Sequence, residues 1–180
     1  MFFSTTWTIK MPKIVNHDAH KDEIAQRAAA YFSEYGYSGV GMRGVAQYLG
    51  MSKSALYHYF PNKEALFLAC TKQVIRQFPE PSGNSALGEA AQLQELMDCM
   101  KQDFGSEMAL VFDYLRGKKP DEIADDPAMQ ETMAYFLGTV TRIVGEERAP
   151  ETLAQIIGTL LLHYFSGGNW KADFHGLRID

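Results

Sequence analysis

Between residues 51 and 67 the chain reads MSKSALYHYFPNKEALF, which sets Lys53, Tyr57, His58, Tyr59 and Lys63 close together. These side chains meet anions well: an ammonium brings charge to a phosphate, a phenol donates a hydrogen bond, and an imidazole donates or accepts. The stretch reads either as the wet face of an ordinary helix pair or as a surface that meets a polyanion. Charge distribution favours the second reading. Residues 1–76 carry nine Lys/Arg against five Asp/Glu, whereas the remainder carries eight against seventeen. A basic N-terminal part beside an acidic remainder is what a chain shows when only one end meets nucleic acid.

Other residues that could do chemistry lead nowhere. GVGMRG at 39–44 matches the spacing of a dinucleotide-binding glycine loop, but a helix precedes it rather than a strand. His17 and His20, in HDAH, lack the further Cys or His that a metal site needs. No nucleophile elbow and no zinc-protease helix motif occurs. No enzyme activity, cofactor or metal is expected. Cys70 and Cys99 lie far apart at apolar helical positions and read as reduced thiols. No apolar run reaches the roughly 18 residues of a membrane span, and MFFSTTWTIK lacks the order of a signal peptide. A cytoplasmic protein with no membrane partner is expected.

The elements that position these residues are helices. The 3.6-residue period recurs along a chain of 180 residues that is 46% hydrophobic, and no stretch alternates at period two. Ile24, Ala28, Tyr31, Phe32 and Tyr35 predict a helix over about 18–35, ended by Gly36. Val45, Ala46 and Leu49 predict a short helix over 42–49. Gly50-Met51-Ser52 breaks the chain, and Ser52 caps a helix over 53–59 that buries Leu56. Pro61-Asn62 breaks it again before a helix over 63–78, with Phe67, Cys70, Val74 and Phe78 on one face. Leu93, Leu96, Met97, Met100 and Phe104 mark a fifth helix, and Met108 to Leu115 a sixth. After a polar loop with at most one helical turn, Asp126-Pro127 caps and opens a helix over 127–145. Pro150 opens the last, over 150–166, which is apolar nearly all round and so must be buried on more than one side.

Two short helices around a glycine turn form a helix-turn-helix, whose second helix enters the major groove. Over roughly residues 20–70 the sequence resembles the TetR/AcrR family of bacterial transcriptional regulators. The resemblance rests on Ile24, Ala28-Ala29, Phe32, Gly36-Tyr37, Val45-Ala46, Gly50-Met51-Ser52-Lys53, Leu56-Tyr57-His58-Tyr59-Phe60, Lys63 and Leu66-Phe67. It implies an all-α protein with an N-terminal DNA-binding bundle and a variable helical domain that often binds an effector. It also implies a homodimer through the last two long helices. Where the family has Thr or Ser before the second helix, this chain has Val40 and Gly41, which removes a capping hydroxyl. Gly44 within that helix costs about 1 kcal/mol relative to alanine.

The expected organisation is an N-terminal extension over 1–17, a DNA-binding domain over 18–78 with 63–78 as linking helix, and a ligand-binding and dimerisation domain over 86–180. FPEPSGNS at 78–85 marks the boundary. Ser52, Lys53, Ser54, Ala55, Tyr57 and His58 are expected at the groove, with Tyr59, Lys63 and Arg43 on the phosphate backbone. Met97, Met100, Phe104, Met108, Phe112, Met133, Phe136 and Trp170 are candidates for an apolar effector pocket, plain core being the alternative for each. Val140, Ile157, Leu161 and Phe165 are expected in the dimer interface. The expected partners are a double-stranded DNA operator with an inverted repeat, a small-molecule effector and a second copy of the chain. The function expected is that of an effector-released repressor. The rival reading is a helical small-molecule-binding protein or enzyme with an incidental helix-turn-helix.

Overall fold

The computed structural model describes residues 17–78 and 88–170, and among these it forms nine helices and no strand. They are α1 (His17–Tyr35), α2 (Met42–Leu49), α3 (Lys53–Tyr59), α4 (Lys63–Gln77), α5 (Glu89–Lys101), α6 (Phe104–Leu115), α7 (Pro120–Ala124), α8 (Pro127–Val144) and α9 (Ala149–Phe165). The all-helical architecture is the one expected. Lys10, Lys13, Phe174, most of the 1–17 extension and most of the 78–85 boundary lie outside the described residues.

Local chemistry explains the short elements. Gly36 and Gly50 take φ of 74° and 70°, the left-handed conformation that ends α1 and α2 at little cost to glycine. The Ser52 hydroxyl accepts from Ala55 N at 3.1 Å, and Asn62 Oδ1 accepts from Ala65 N at 2.7 Å, so α3 and α4 each begin on a side-chain cap. A seven-residue helix such as α3 cannot persist alone. It is held by Leu56, its one buried residue, and by Phe60 at its C-cap; both side chains are fully buried. Each such burial contributes roughly 1.5–3 kcal/mol.

Two apolar clusters form. The first joins Ile24, Ala28 and Phe32 of α1 to Val45 and Leu49 of α2, Leu56, Phe60, and Leu66, Phe67 and Cys70 of α4. It also takes in Tyr114 of α6 and Ala128 of α8, so the two parts of the chain share it. The second unites α5, α8 and α9 through Leu93, Leu96, Val140, Ile143, Ile156 and Leu160.

Several expected positions move. Phe104 opens α6 rather than closing α5, because the chain turns at Gln102-Asp103. Tyr35 is exposed: it stacks on Tyr31, which in turn stacks on Tyr48, with centroids 4.6 Å apart in each pair. Gly44 has a packing reason, since a Cβ there would lie 3.0 Å from the Tyr31 hydroxyl. No helix among the described residues is long and apolar enough to cross a membrane.

Candidate nucleic-acid interface and cavity

α3 turns most of its side chains outward. Lys53, Ser54, Tyr57 and His58 are exposed, Ala55 is half-buried, and Ser52 is exposed at the cap, where its hydroxyl lies 3.1 Å from that of Ser54. The Lys53 ammonium sits 5.5 Å from the Tyr57 ring centroid, which leaves its charge facing solvent. Arg43 is exposed on α2, and α2 packs on α3.

The other cations of the head are engaged. Arg76 pairs with Asp22, and Lys72 with Glu131. Arg27 donates to the Leu49 carbonyl, and Lys21 lies 5.4 Å from the Phe60 ring centroid. Among the described head residues, Lys21, Arg43 and Lys53 are thus the Lys and Arg side chains without an ion pair or hydrogen bond, and Lys21 lies against Phe60 on the α1 side rather than on the α3 surface.

Lys63 and Tyr59 do not sit as expected. The half-buried Lys63 ammonium donates to the carbonyls of Tyr37 and Val40, at 3.1 Å each, and lies 4.0 Å from the Tyr37 ring centroid. As the first residue of α4 it reaches back to lock the α1–α2 turn, and two of its three donors are used there. Tyr59 is half-buried against α1, its ring 4.7 Å from that of His17 and 5.3 Å from that of His20. His17 also meets His58 edge-on at 5.6 Å, so the start of α1 joins the α3 surface. The two histidines of HDAH, expected as surface residues rather than metal ligands, thus border the α3 surface. Among the described residues no group of three or more His, Cys, Asp or Glu could hold a metal ion.

Lys63→Ala is therefore expected to destabilise the head by about 2 kcal/mol, through lost hydrogen bonds and ring contact. The salt slope of DNA binding should stay unchanged. A slope shallower by about one per protomer would return Lys63 to the phosphate contacts.

A cavity of about 150 Å³ lies where α1, α4, α6 and α8 meet. Met108 and Phe136 line it, with Phe32, Phe67, Val74 and Phe78. The remaining pocket candidates lie elsewhere. Met97, Met100 and Phe104 are buried in the second cluster, where helix packing consumes their surface. Phe112 and Met133 are 63% and 58% exposed, on the outer faces of α6 and α8. Trp170 is also exposed; its backbone N–H donates to Ser166 Oγ at 2.7 Å. Cys70, which borders the cavity, is a free cysteine whose thiol burial pushes up to about 12, so it is inert.

Of the expected interface residues, Val140 is wholly buried inside the protomer, because its face of α8 meets α5 and α9. Ile157 and Leu161 are half-buried against the same cluster, while Phe165 is 71% exposed. Sequence reasoning missed the contacts that tie α6 to the head. Ser38 N donates to Asp113 Oδ2 at 2.7 Å, and that bond holds the Asp113 carboxyl below the usual range.

The comparisons follow this geometry. The family model described as bacterial regulatory proteins, tetR family, matches residues 24–70, which are α1 to α4. The transcriptional regulator RutR of Escherichia coli K12 is 39% identical over 57 residues, 32% of this chain and 27% of RutR. The transcriptional repressor AcnR of Corynebacterium diphtheriae is 32% identical over 81 residues, 44% of this chain and 43% of AcnR. The chain thus matches under half the length of these relatives, which are transcriptional regulators rather than enzymes. Two solved structures share the fold. The flavonoid-responsive regulator FrrA superposes with a TM-score of 0.54 at 24% identity, over 86% of this chain and 88% of FrrA. A Pseudomonas aeruginosa PAO1 protein assigned as a transcriptional regulator gives 0.55 at 16% identity, over 88% of this chain and 85% of that one. With the family pattern running through the helix-turn-helix and the helical architecture around it, residues 24–70 carry the DNA-binding segment of the tetR family of bacterial regulatory proteins, and the rest of the chain shares the helical fold of such regulators.

Proposed function

We propose that this protein is a transcriptional repressor that binds an inverted-repeat operator as a homodimer and leaves it when a small molecule fills the cavity. The observation that carries this reading is the outward face of α3. A short helix that keeps one residue buried and turns Lys53, Ser54, Tyr57 and His58 to solvent is built to be covered. In the major groove, Ala55 and the Tyr57 ring suit thymine methyls and His58 suits either a donor or an acceptor edge. Lys53 serves a phosphate or a base acceptor, and Arg43 the backbone. The tetR-family match and the named repressor AcnR support the direction of regulation.

Release is a shift between two arrangements. The cavity walls include α1 and α4 of the head and α6 and α8 of the remainder, so a molecule that fits only one arrangement biases the other away. Selection of bound fragments from a genomic DNA pool tests the reading. An enriched inverted repeat, bound with an affinity that falls steeply with salt, is expected. Tyr57→Ala and His58→Ala should relax preference at particular base pairs of that repeat. A pool with no enriched sequence would overturn the proposal, and equal weakening on all operator variants would remove both residues from base readout.

A further inference from the structure

The cavity is not uniformly apolar. Glu107, in the first turn of α6, borders it, and also borders a second, more polar cavity of about 540 Å³ that opens beside it. Ser33, Val74 and Phe78 are common to both, and the second adds Asp103, Gln102 and Ser106. The two spaces therefore form one apolar chamber with a polar vestibule, and Glu107 stands at the junction. Among the described residues no Lys, Arg or His lines either space. The Glu107 N–H donates to the Asp103 carbonyl at 3.0 Å, while among the described residues its carboxylate has neither an ion pair nor a hydrogen bond.

We infer that this chamber binds a small organic cation, its apolar body about the size of one aromatic ring in the α1–α4–α6–α8 cavity and its ammonium against Glu107. The inference names the chemical class of the effector in the repressor reading and rests on that reading for its regulatory meaning. Three observations carry it. Phe32, Phe67, Met108 and Phe136 offer dispersion and ring contacts to an apolar body, and a cavity near 150 Å³ suits a benzene-sized group. Among the described residues the vestibule carries two carboxylates and no basic side chain, so it favours a cation and repels an anion. The surroundings register the negative potential: burial, then Asp103, pushes the Glu107 carboxyl up, and burial, then Glu107, pushes the Cys99 thiol up. The start of α6 helps a carboxylate there stay ionised, and an ammonium would supply the missing partner.

Three isosteric probes test this by calorimetry on the whole protein: 2-phenylethylamine, 2-phenylethanol and phenylacetate. The amine is expected to bind at least tenfold tighter than the alcohol, and phenylacetate more weakly than either. Glu107→Gln, which keeps size and polarity, should erase the preference for the amine while leaving the affinity for the alcohol within about twofold. Val74→Phe should block all three by filling the chamber, with a melting curve to show that each variant folds. Equal binding of amine and alcohol to the wild type, no binding of the amine, or amine affinity unaffected by Glu107→Gln would each overturn the inference. These readouts involve no DNA. An amine that binds as expected but leaves the operator complex intact would keep the cation site and defeat the effector-release reading instead.

Discussion

Leu162→Asp or Phe165→Asp is expected to turn the proposed two-fold dimer into a folded monomer and to lower operator affinity at least a hundredfold. α8 exposes Met133, Ala134, Leu137 and Gly138; α9 exposes Leu162 and Phe165, with Gly158 half-buried between turns. A Cβ built at Gly138 or Gly158 would meet no atom within 4 Å, so both helices offer room for close approach from outside. Exposed apolar side chains on two neighbouring helices are the kind of surface a second copy would cover. A carboxylate buried there without a partner is unfavourable by several kcal/mol, which is a factor of a hundred or more in association. Leu162 and Phe165 are the right positions because they are 46% and 71% exposed in the protomer. Leu161 packs against the second cluster, so a charge there would damage the fold as well as the contact. Sedimentation should report the monomer while circular dichroism keeps its helical signal. A wild-type protein that sediments as a monomer at micromolar concentration would remove the dimer from the proposal, and the inverted repeat with it.

What the sequence could disclose follows the range of each interaction. Ser52, Asn62 and Asp126 cap the helices that follow them, and a cap bonds two or three residues ahead, so the expectation from local sequence coincided with the geometry. The bounds of α2 and α3 were legible for the same reason: each ends on a glycine or an apolar residue whose demand is local. Long-range partners were not legible. Lys63 is expected at the phosphate backbone, at the start of the 63–78 helix, yet its partners Tyr37 and Val40 lie in a turn more than twenty residues earlier. Val140 shows the limit of periodicity: an apolar stripe marks a side to be buried, without saying whether the protomer or its copy covers it. The pocket candidates fail on the same point. Met97, Met100 and Phe104 are apolar at helical spacing whether they surround a space or fill it.

Asp126→Ala is expected to destabilise the protein by about 3 kcal/mol, because one carboxylate joins three elements. Oδ1 accepts from Ala128 N at 3.0 Å and Met129 N at 3.1 Å and so starts α8. Oδ2 accepts from the Tyr114 hydroxyl at 2.6 Å and from the Lys118 ammonium. Tyr114 then carries the effect into the head: its ring stacks on Phe67 at 4.3 Å and meets Tyr37 edge-on at 4.7 Å. Alanine removes the cap and leaves a buried hydroxyl without its acceptor, together worth roughly 10 °C in melting temperature for a chain of this size. Burial pushes the Asp126 carboxyl up, but the bonds from Lys118, Tyr114 and Met129 outweigh it and hold the carboxyl below the usual range. The sign follows from that net depression. The stabilisation is fully present above the unfolded value near 4 and is lost as pH falls through the lower folded value. The gap in melting temperature between wild type and Asp126→Ala should therefore be widest near neutrality and narrow below about pH 4. Asp126→Asn, which can keep the cap while presenting an amide or a neutral oxygen to Tyr114 and Lys118, should fall between the two at neutral pH. A gap that stays constant from pH 7 to pH 3 would mean that the charge contributes nothing and that the cap alone accounts for the loss.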